Sequence, residues 1–420
     1  MTIPQTEVKP IKRPSSIAIV GGGLAKFHGI SSTIYELRPP GDSRGLNIAL
    51  APNAVRVLQH IGVLHELRAM GHSFERMNVT SARTGRSIGG FLMGSELHYN
   101  YDSLRIHRAL VQQVLLSHAA AEGIKIHYNK KLASANETES YVTLRFEDGE
   151  EVKTDFAIAA DGLRSRLRDC IINAKLPYSG AMGILTMHVP KASLHESINE
   201  VQLPTFCFGT SGMIAVFPSN PSGTEIDMFS TFPFQDLTKE GWEKLEENGD
   251  AKKKIMTEKF GNEWPPYIRQ LWEERPPEKM SMHPFYEAPP FEHWSSNHGR
   301  IIIIGDAAHA FSPQAGQGAA MALEDAETLA HTIGNVRFTT DHLKLIRSWE
   351  RHRQARLRAV KQMTDDSGKL RAPSINAYAF YIKEWIMWAV LKMKGQTMGM
   401  KWLYDYSPED IHRVHKTQCG

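Results

Sequence analysis

Three cysteines in 420 residues (Cys170, Cys207 and Cys419) are odd in number and show no CxxC or Cys/His ligand spacing. They support neither a disulfide framework nor a zinc site, and read as reduced thiols inside a cell. Long hydrophobic runs are also missing. The longest apolar stretch near the C-terminus, Trp385 to Met393, is interrupted by Lys392. It falls far short of the roughly 20 residues a membrane helix needs, which leaves at most a peripheral membrane contact. Charge of one sign is not in excess: 49 basic and 46 acidic residues are interspersed and give a net +3. With no basic stripe, nucleic acid is not an expected partner and a small molecule is. The N-terminus has no apolar core of a signal peptide, so residues 1–15 read as a disordered leader and the expected location is cytoplasmic. There is no internal repeat or low-complexity segment, no Ser-His-Asp arrangement, no paired-carboxylate spacing and no metal cluster. Nothing in the sequence sets an oligomeric state.

What is present is length enough for two or three domain-sized units, and one informative segment. Ile301 to Ile304 is a β-branched run followed by Gly305-Asp306, Pro313, Gly316-Gln317-Gly318 and a helical run from Ala319 to Ala330. This order reads as strand, polar turn and helix start, which aims the Asp306 carboxylate at a ligand beyond the sheet's C-terminal edge. Glycines at the start of a helix let the backbone approach a flat or anionic group with free N–H donors. Near the N-terminus, Ile17 to Val20 followed by Gly21-Gly22-Gly23 reads as the first strand and phosphate turn of a dinucleotide-binding unit. Thr33 to Leu37 reads as its second strand, with Glu36 placed to hold ribose hydroxyls. Gly21 to Glu36 spans only 15 positions, fewer than the roughly 20 the fingerprint expects.

Gly305-Asp306-Ala307-Ala308-His309, Pro313, Gly316-Gln317-Gly318 and Glu324-Asp325-Ala326 together resemble the second flavin motif of class A flavoprotein monooxygenases, the salicylate hydroxylase-like group. The resemblance extends over about residues 15 to 410. It implies an α/β fold: a Rossmann-like FAD-binding domain, an inserted mixed or antiparallel substrate sheet, and C-terminal helices. Against the family pattern about eight residues are missing between Ala25 and Lys26, equivalent to roughly 12 Å of helix, so the first crossover helix is largely gone. Either the glycines still receive the pyrophosphate through backbone N–H groups, or the chain has lost its cofactor.

The resemblance also assigns residues. Gly21, Gly23 and Glu36 fall at the adenosine end. Arg44 and Gly45 fall in the segment along the flavin, ahead of a helix that opens at Pro52 and carries Val57, Leu58, Ile61 and Leu64. Arg108 lies on a helix expected from Leu104 to Ala120, which also carries Arg105, where the family contacts the ribityl and adenosine portion. Asp161, at the end of the strand Phe156 to Ala160, matches an Asp-Gly motif serving the flavin and the incoming nicotinamide; a plain N-cap of a helix from Leu163 to Cys170 is the alternative. Asp306, Pro313, Gly316, Gln317, Gly318 and Ala319 complete the cofactor set. His309 reads as a proton relay or as a helix-cap or supporting residue. The family's pocket arginine has Leu185 in its place and cannot be carried over, so the catalytic residues are not assigned.

Ile124 to His127 and Tyr141 to Phe146 read as a β-meander. Strand candidates at Gly183 to Val189, Gly212 to Phe217 and Ile226 to Phe232 read as a sheet over the cofactor, its aromatic and methionine side chains mostly core. Trp349, Arg351, Arg353, Arg356 and Arg358 read as a solvated basic helix face. The expected division is an FAD-binding domain over 16–75, 104–175 and 295–335, a substrate sheet over 76–103 and 176–294, and a helical region over 336–420. The implied activity is FAD-dependent hydroxylation of an aromatic or polyketide-like molecule through a C4a-hydroperoxyflavin, with O2 and NADH or NADPH as transient co-substrates. A flavin-dependent epoxidase or reductase, or a cofactor-free binding protein, remain alternatives at this level.

Overall fold

The computed structural model describes residues 14–21, 30–261, 263–334 and 342–407. The expected leader, Gly23, the shortened crossover Gly22 to Gly29 and Cys419 thus lie outside the described residues, apart from the leader's last two positions.

Five short strands form a parallel sheet: β1 (Ser16–Val20), β2 (Ser31–Tyr35), β3 (Lys125–His127), β4 (Phe156–Ala159) and β5 (Ile301–Ile303). Their order is β5-β4-β1-β2-β3, every neighbour parallel. The central strands are continuous apolar runs because both faces are covered; Ile17, Ile19, Phe156, Ile158 and Ile302 are all at most 2% exposed. β1 and β2 pair in full register from Ser16↔Ser31 to Val20↔Tyr35, so the parallel pair forms even though its crossover is short. One expectation is corrected here. Ile124 to His127 is not part of the meander, since β3 extends the parallel sheet beside β2; the meander consists of Leu132–Glu137, Val142–Phe146 and Glu151–Thr154.

The helices that matter for the site are α1 (Pro52–Ile61), α2 (Arg108–Ala121), α3 (Gly318–Gly334), α4 (His342–Arg371) and α5 (Ala377–Lys394). α1 has Pro52 in its first turn, where the missing N–H costs nothing. It stops at Gly62 in the left-handed conformation (φ 92°), so Leu64 begins a separate helix, Leu64–Met70. The helix expected from Leu104 is also corrected: Ser103–His107 is a strand pairing antiparallel with Asn47–Leu50 and His72–Phe74. Alternation decides it. Leu104 and Ile106 bury on one side while Arg105 is fixed on the other by Asp227, its Nη2 3.1 Å from Oδ2.

A second, seven-stranded sheet runs in the order Met280–Tyr286, Tyr178–Pro190, Glu225–Pro233, Gly212–Pro218, Thr205–Gly209, Arg76–Ser81, Ser87–Leu92. The three strands expected from its sequence are present. Met228 and Phe232 pack on one face with Trp272, beneath the helices Gly249–Phe260 and Pro266–Glu273. Phe206, Phe208, Met213, Phe217 and Phe229 pack on the other face with Phe380 and Met387 of α5. The alternation of neighbouring residues between two clusters follows from the two-residue period of a strand.

Candidate active site

Three adjacent strands deliver their C-terminal ends to one edge. β1 ends at Gly21, β4 at Asp161 and β5 at Gly305-Asp306, with Glu36 beyond β2. Gly21 adopts φ +104°, and a Cβ there would sit 2.5 Å from the Ala160 carbonyl oxygen. Only glycine fits that approach, and Gly21 N–H donates to the Tyr35 carbonyl at 2.9 Å, which seals the strand ends together.

Asp161 is not the residue at the cap position of its helix, although its side chain reaches the helix's first N–H groups. A 3-10 turn (Gly162–Arg164) intervenes, and Ser165 is the cap of the helix Arg166–Ile171. Asp161 Oδ2 accepts from the Arg166 and Leu167 N–H groups at 2.9 and 3.4 Å, whereas Oδ1 is buried without a partner among the described residues. Burial raises the Asp161 carboxyl, opposed by the Ser165 hydroxyl and those N–H groups. An orphan carboxylate oxygen at the edge of a nucleotide fold is what a ligand hydroxyl or amide would satisfy.

Asp306 is half-buried, and Gly318 stands where a Cβ would be 4.0 Å from its Oδ1. Between them, Pro313 opens a single turn ending at Gly316 in the left-handed conformation (φ 65°). α3 then begins, so the N–H groups of Gly318, Ala319 and Ala320 form its donor-rich first turn. Gln317 is turned inward: its Oε1 accepts from Asn53 Nδ2 at 3.2 Å and the side chain is 1% exposed. It braces the turn.

Glu36 is buried, its Oε1 accepting the Arg38 N–H at 2.8 Å and its Oε2 lying 3.5 Å from Gln112 Nε2. Arg44 is exposed and engaged by Asp42 in a forked ion pair, whose hydrogen bonds hold the Asp42 carboxyl well below the usual range. Gly45 lies against the start of α2, where its Cβ would be 3.5 Å from Arg108 Cβ; Arg108 itself is exposed. The edge thus gathers Gly21, Asp161, Asp306 and the Gly316–Ala319 turn, with Glu36, Gly45 and Arg108 along the neighbouring strand and helix. The donor-rich turn, the backbone approach at Gly21 and the orphan Asp161 oxygen fit a dinucleotide cofactor.

Beneath this edge lies a network only partly foreseen. Asp325 Oδ2 accepts the Gly305 N–H at 2.9 Å and lies 2.5 Å from His309 Nε2, while Oδ1 takes Arg353 Nε at 2.7 Å. Glu324 takes Arg353 Nη1 at 2.8 Å, Arg356 Nε at 2.6 Å and Asn53 Nδ2 at 2.7 Å. Arg353 and Trp349 are therefore not on a solvated face: each is 1% exposed. Burial alone would raise the Asp325 carboxyl; His309 and Arg353 outweigh it and hold the group at about 2. His309, sandwiched near Trp294 and Phe311, faces this carboxylate rather than the edge, so it positions the Gly305 turn.

A further residue carried no sequence signal. Arg371, the last residue of α4, donates through Nη1 to the Gln314 carbonyl and places its Cζ 5.0 Å over the Phe206 ring. Arg56, Arg105, Arg353 and Arg356 each face a carboxylate. No ion pair involves Arg371 among the described residues, and its surroundings push it down to about 10 through desolvation alone.

The sequence profile of the FAD binding domain family matches residues 16–364. The chain belongs to that family. It is 28% identical over 370 residues to 6-hydroxynicotinate 3-monooxygenase of Bordetella bronchiseptica, a match covering 84% of this chain and 92% of that protein. It is 27% identical over 389 residues to salicylate hydroxylase of Pseudomonas putida, covering 86% and 88%. The fold matches Klebsiella pneumoniae HpxO, whose crystal structure holds FAD and uric acid, at a TM-score of 0.73 and 20% identity over 89% of this chain and 93% of that one. Family and relatives make the chain an FAD-dependent flavoprotein monooxygenase.

Among the described residues no helix is long and apolar enough to cross a membrane, and no group of three or more His, Cys, Asp or Glu is placed to hold a metal ion.

Proposed function

We propose that this flavoprotein monooxygenase hydroxylates an aromatic small molecule carrying an anionic substituent, consuming O2 and taking electrons from NADH or NADPH. The observation that carries the anionic class is Arg371. Arg371 is partly buried with no facing carboxylate among the described residues, and a partly desolvated guanidinium left unpaired is completed by an anionic ligand. Arg371 sits between the Gln314 carbonyl of the cofactor turn and Phe206 of the sheet's inner face, so an aromatic ring held there would reach both a cation and an aromatic wall. The named relatives act on hydroxynicotinate and salicylate, both aromatic acids.

In this reading Gly21 and Gly23 receive the FAD pyrophosphate and Glu36 its ribose, Arg44 and Gly45 lie along the flavin, Arg108 touches the ribityl and adenosine portion, and Asp161, Asp306, Pro313, Gly316, Gln317, Gly318 and Ala319 complete the cofactor site. The residues divide into a nucleotide unit (16–75, 104–175, 295–335), a substrate sheet (76–103, 176–294) and a helical region from 336. The flavin, when bound, supplies the oxygen-transfer chemistry. The chain's own tasks are to bind and orient both rings, and to exclude water with the apolar layer around Phe206, Met213 and Phe217.

The test is substrate-stimulated NAD(P)H oxidation across a panel of aromatic carboxylates and their neutral amides. Arg371→Met is expected to raise KM for the active carboxylate roughly tenfold to a hundredfold, the usual range for a charged hydrogen bond. Arg371→Lys recovers part of the loss, and bound flavin is unchanged. Equal losses on acid and amide would refute the assignment.

A further inference from the structure

Ten of the thirteen exposed large apolar side chains of the described residues lie between Leu370 and Trp402. Most sit on α5. Its inner seam, Phe380, Glu384, Met387 and Leu391, packs against the strand Ser87–Leu92, where Gly89 gives Leu391 room: a Cβ at Gly89 would lie 3.0 Å from Leu391 Cδ1. Glu384 is held by Arg83, Nη2 to Oε2 2.7 Å. The helix is therefore fixed in orientation, and its outer face is not a consequence of loose docking.

That outer face presents Tyr378, Tyr381, Ile382, Trp385, Ile386 and Met393, each 44% to 79% exposed. Tyr381 and Trp385 meet edge to face at 6.4 Å between centroids, and Trp385 and Trp388 do so at 5.6 Å, forming a continuous aromatic ridge. Lys392 Nζ lies 5.0 Å over the Trp388 ring. Between residues 372 and 402 the sequence has Lys383, Lys392, Lys394 and Lys401 but a single acidic residue, Glu384, which is already neutralised by Arg83.

We propose that α5 is an interfacial docking face for an anionic phospholipid surface. Trp and Tyr favour the headgroup region because one part of each ring system is apolar and another part is polar. Lysines bordering an apolar face extend their ammonium groups to phosphates while their stems lie in the acyl boundary. Eighteen helical residues span roughly 27 Å, enough to lie along the interface, and four charged side chains keep the helix from spanning it. Charge selects the occupant. A second copy on the same face would bring lysines against lysines, whereas anionic headgroups complement them. The inner seam shares its apolar cluster with Phe206 and Phe217, so the contact lies behind the layer proposed to cover the substrate.

The full-length protein is sedimented with phosphatidylcholine vesicles, with and without phosphatidylserine. The expected result is partition into the pellet with the anionic vesicles roughly tenfold above the neutral ones, falling as salt rises. Lys392→Glu with Lys394→Glu abolishes that preference, and Trp385→Ser with Trp388→Ser reduces pelleting with both. Both pairs retain flavin and thermal midpoint, which separates loss of docking from loss of fold. No pelleting with anionic vesicles would overturn the proposal. So would self-association, seen by sedimentation velocity, that the Trp pair abolishes while no vesicle binding occurs, because a second copy would then cover the face.

Discussion

Asp306 and Gly21 have different roles in the proposed site, and their substitutions should differ accordingly. Asp306 lies just past a strand end, and its carboxylate joins no hydrogen bond or ion pair among the described residues, so Asp306→Ala should leave the thermal midpoint nearly unchanged. It should weaken FAD binding roughly tenfold to a hundredfold, measured by quenching of flavin fluorescence; an unchanged affinity would remove Asp306 from the site. Gly21→Ala places a methyl group 2.5 Å from a carbonyl oxygen, and should destabilise the chain by about 1–3 kcal/mol even without cofactor, the range for enforced backbone strain. Asp325 has a pH signature. Its pKa falls from the usual 3.8 to about 2 in the folded chain. A carboxylate depressed by folding contributes its stability fully above the unfolded value and loses it as pH falls toward the folded one. Urea midpoints should therefore drop between about pH 4 and pH 2 by an amount worth roughly 2 kcal/mol. Asp325→Asn should lower stability at neutral pH and flatten that slope.

At the scale of elements, legibility followed the strength of local signal. Ile17 to Val20, Phe156 to Ala159 and Ile301 to Ile303 were readable because strands buried on both faces need continuous β-branched and apolar residues. α1 was readable from Pro52 and its apolar spacing, but its end was not, since Gly62 stops it one turn early. Ser103–His107 was misread as helix because Arg105 disguises a buried strand residue, and only the distant Asp227 makes its burial tolerable. The basic run of α4 misled for the same reason. Its acidic partners, Glu324 and Asp325, lie on α3, and no local pattern reveals a pairing across that separation. Arg353→Met should test that element: it removes the one cation shared by both buried carboxylates, leaving Glu324 to Arg356 and Asp325 to His309, and the expected loss is roughly 3–5 kcal/mol by urea unfolding. A loss below 1 kcal/mol would show that the network does not hold α3 to α4.

At the scale of the whole molecule, the order of motifs along the chain made the site legible even though the motifs are far apart in sequence. β1, β4 and β5 begin at residues 16, 156 and 301 and end at one sheet edge. Arg371 could not be read in this way, because its meaning depends on Gln314 and Phe206 arriving beside it from two other layers. β1 and β2 pair in register, and only 15 positions separate Gly21 from Glu36, fewer than the roughly 20 of a dinucleotide-binding fingerprint, so cofactor retention is the property to measure first. The most direct measurement is the visible absorption spectrum of the purified full-length chain, incubated with excess FAD and then desalted. The two flavin bands are expected to persist at about one flavin per chain, held by Asp306, Asp161 and the Gly316–Ala319 turn. A colourless protein, with flavin retained only after a helix's length of residues is reinserted after Ala25, would contradict that expectation.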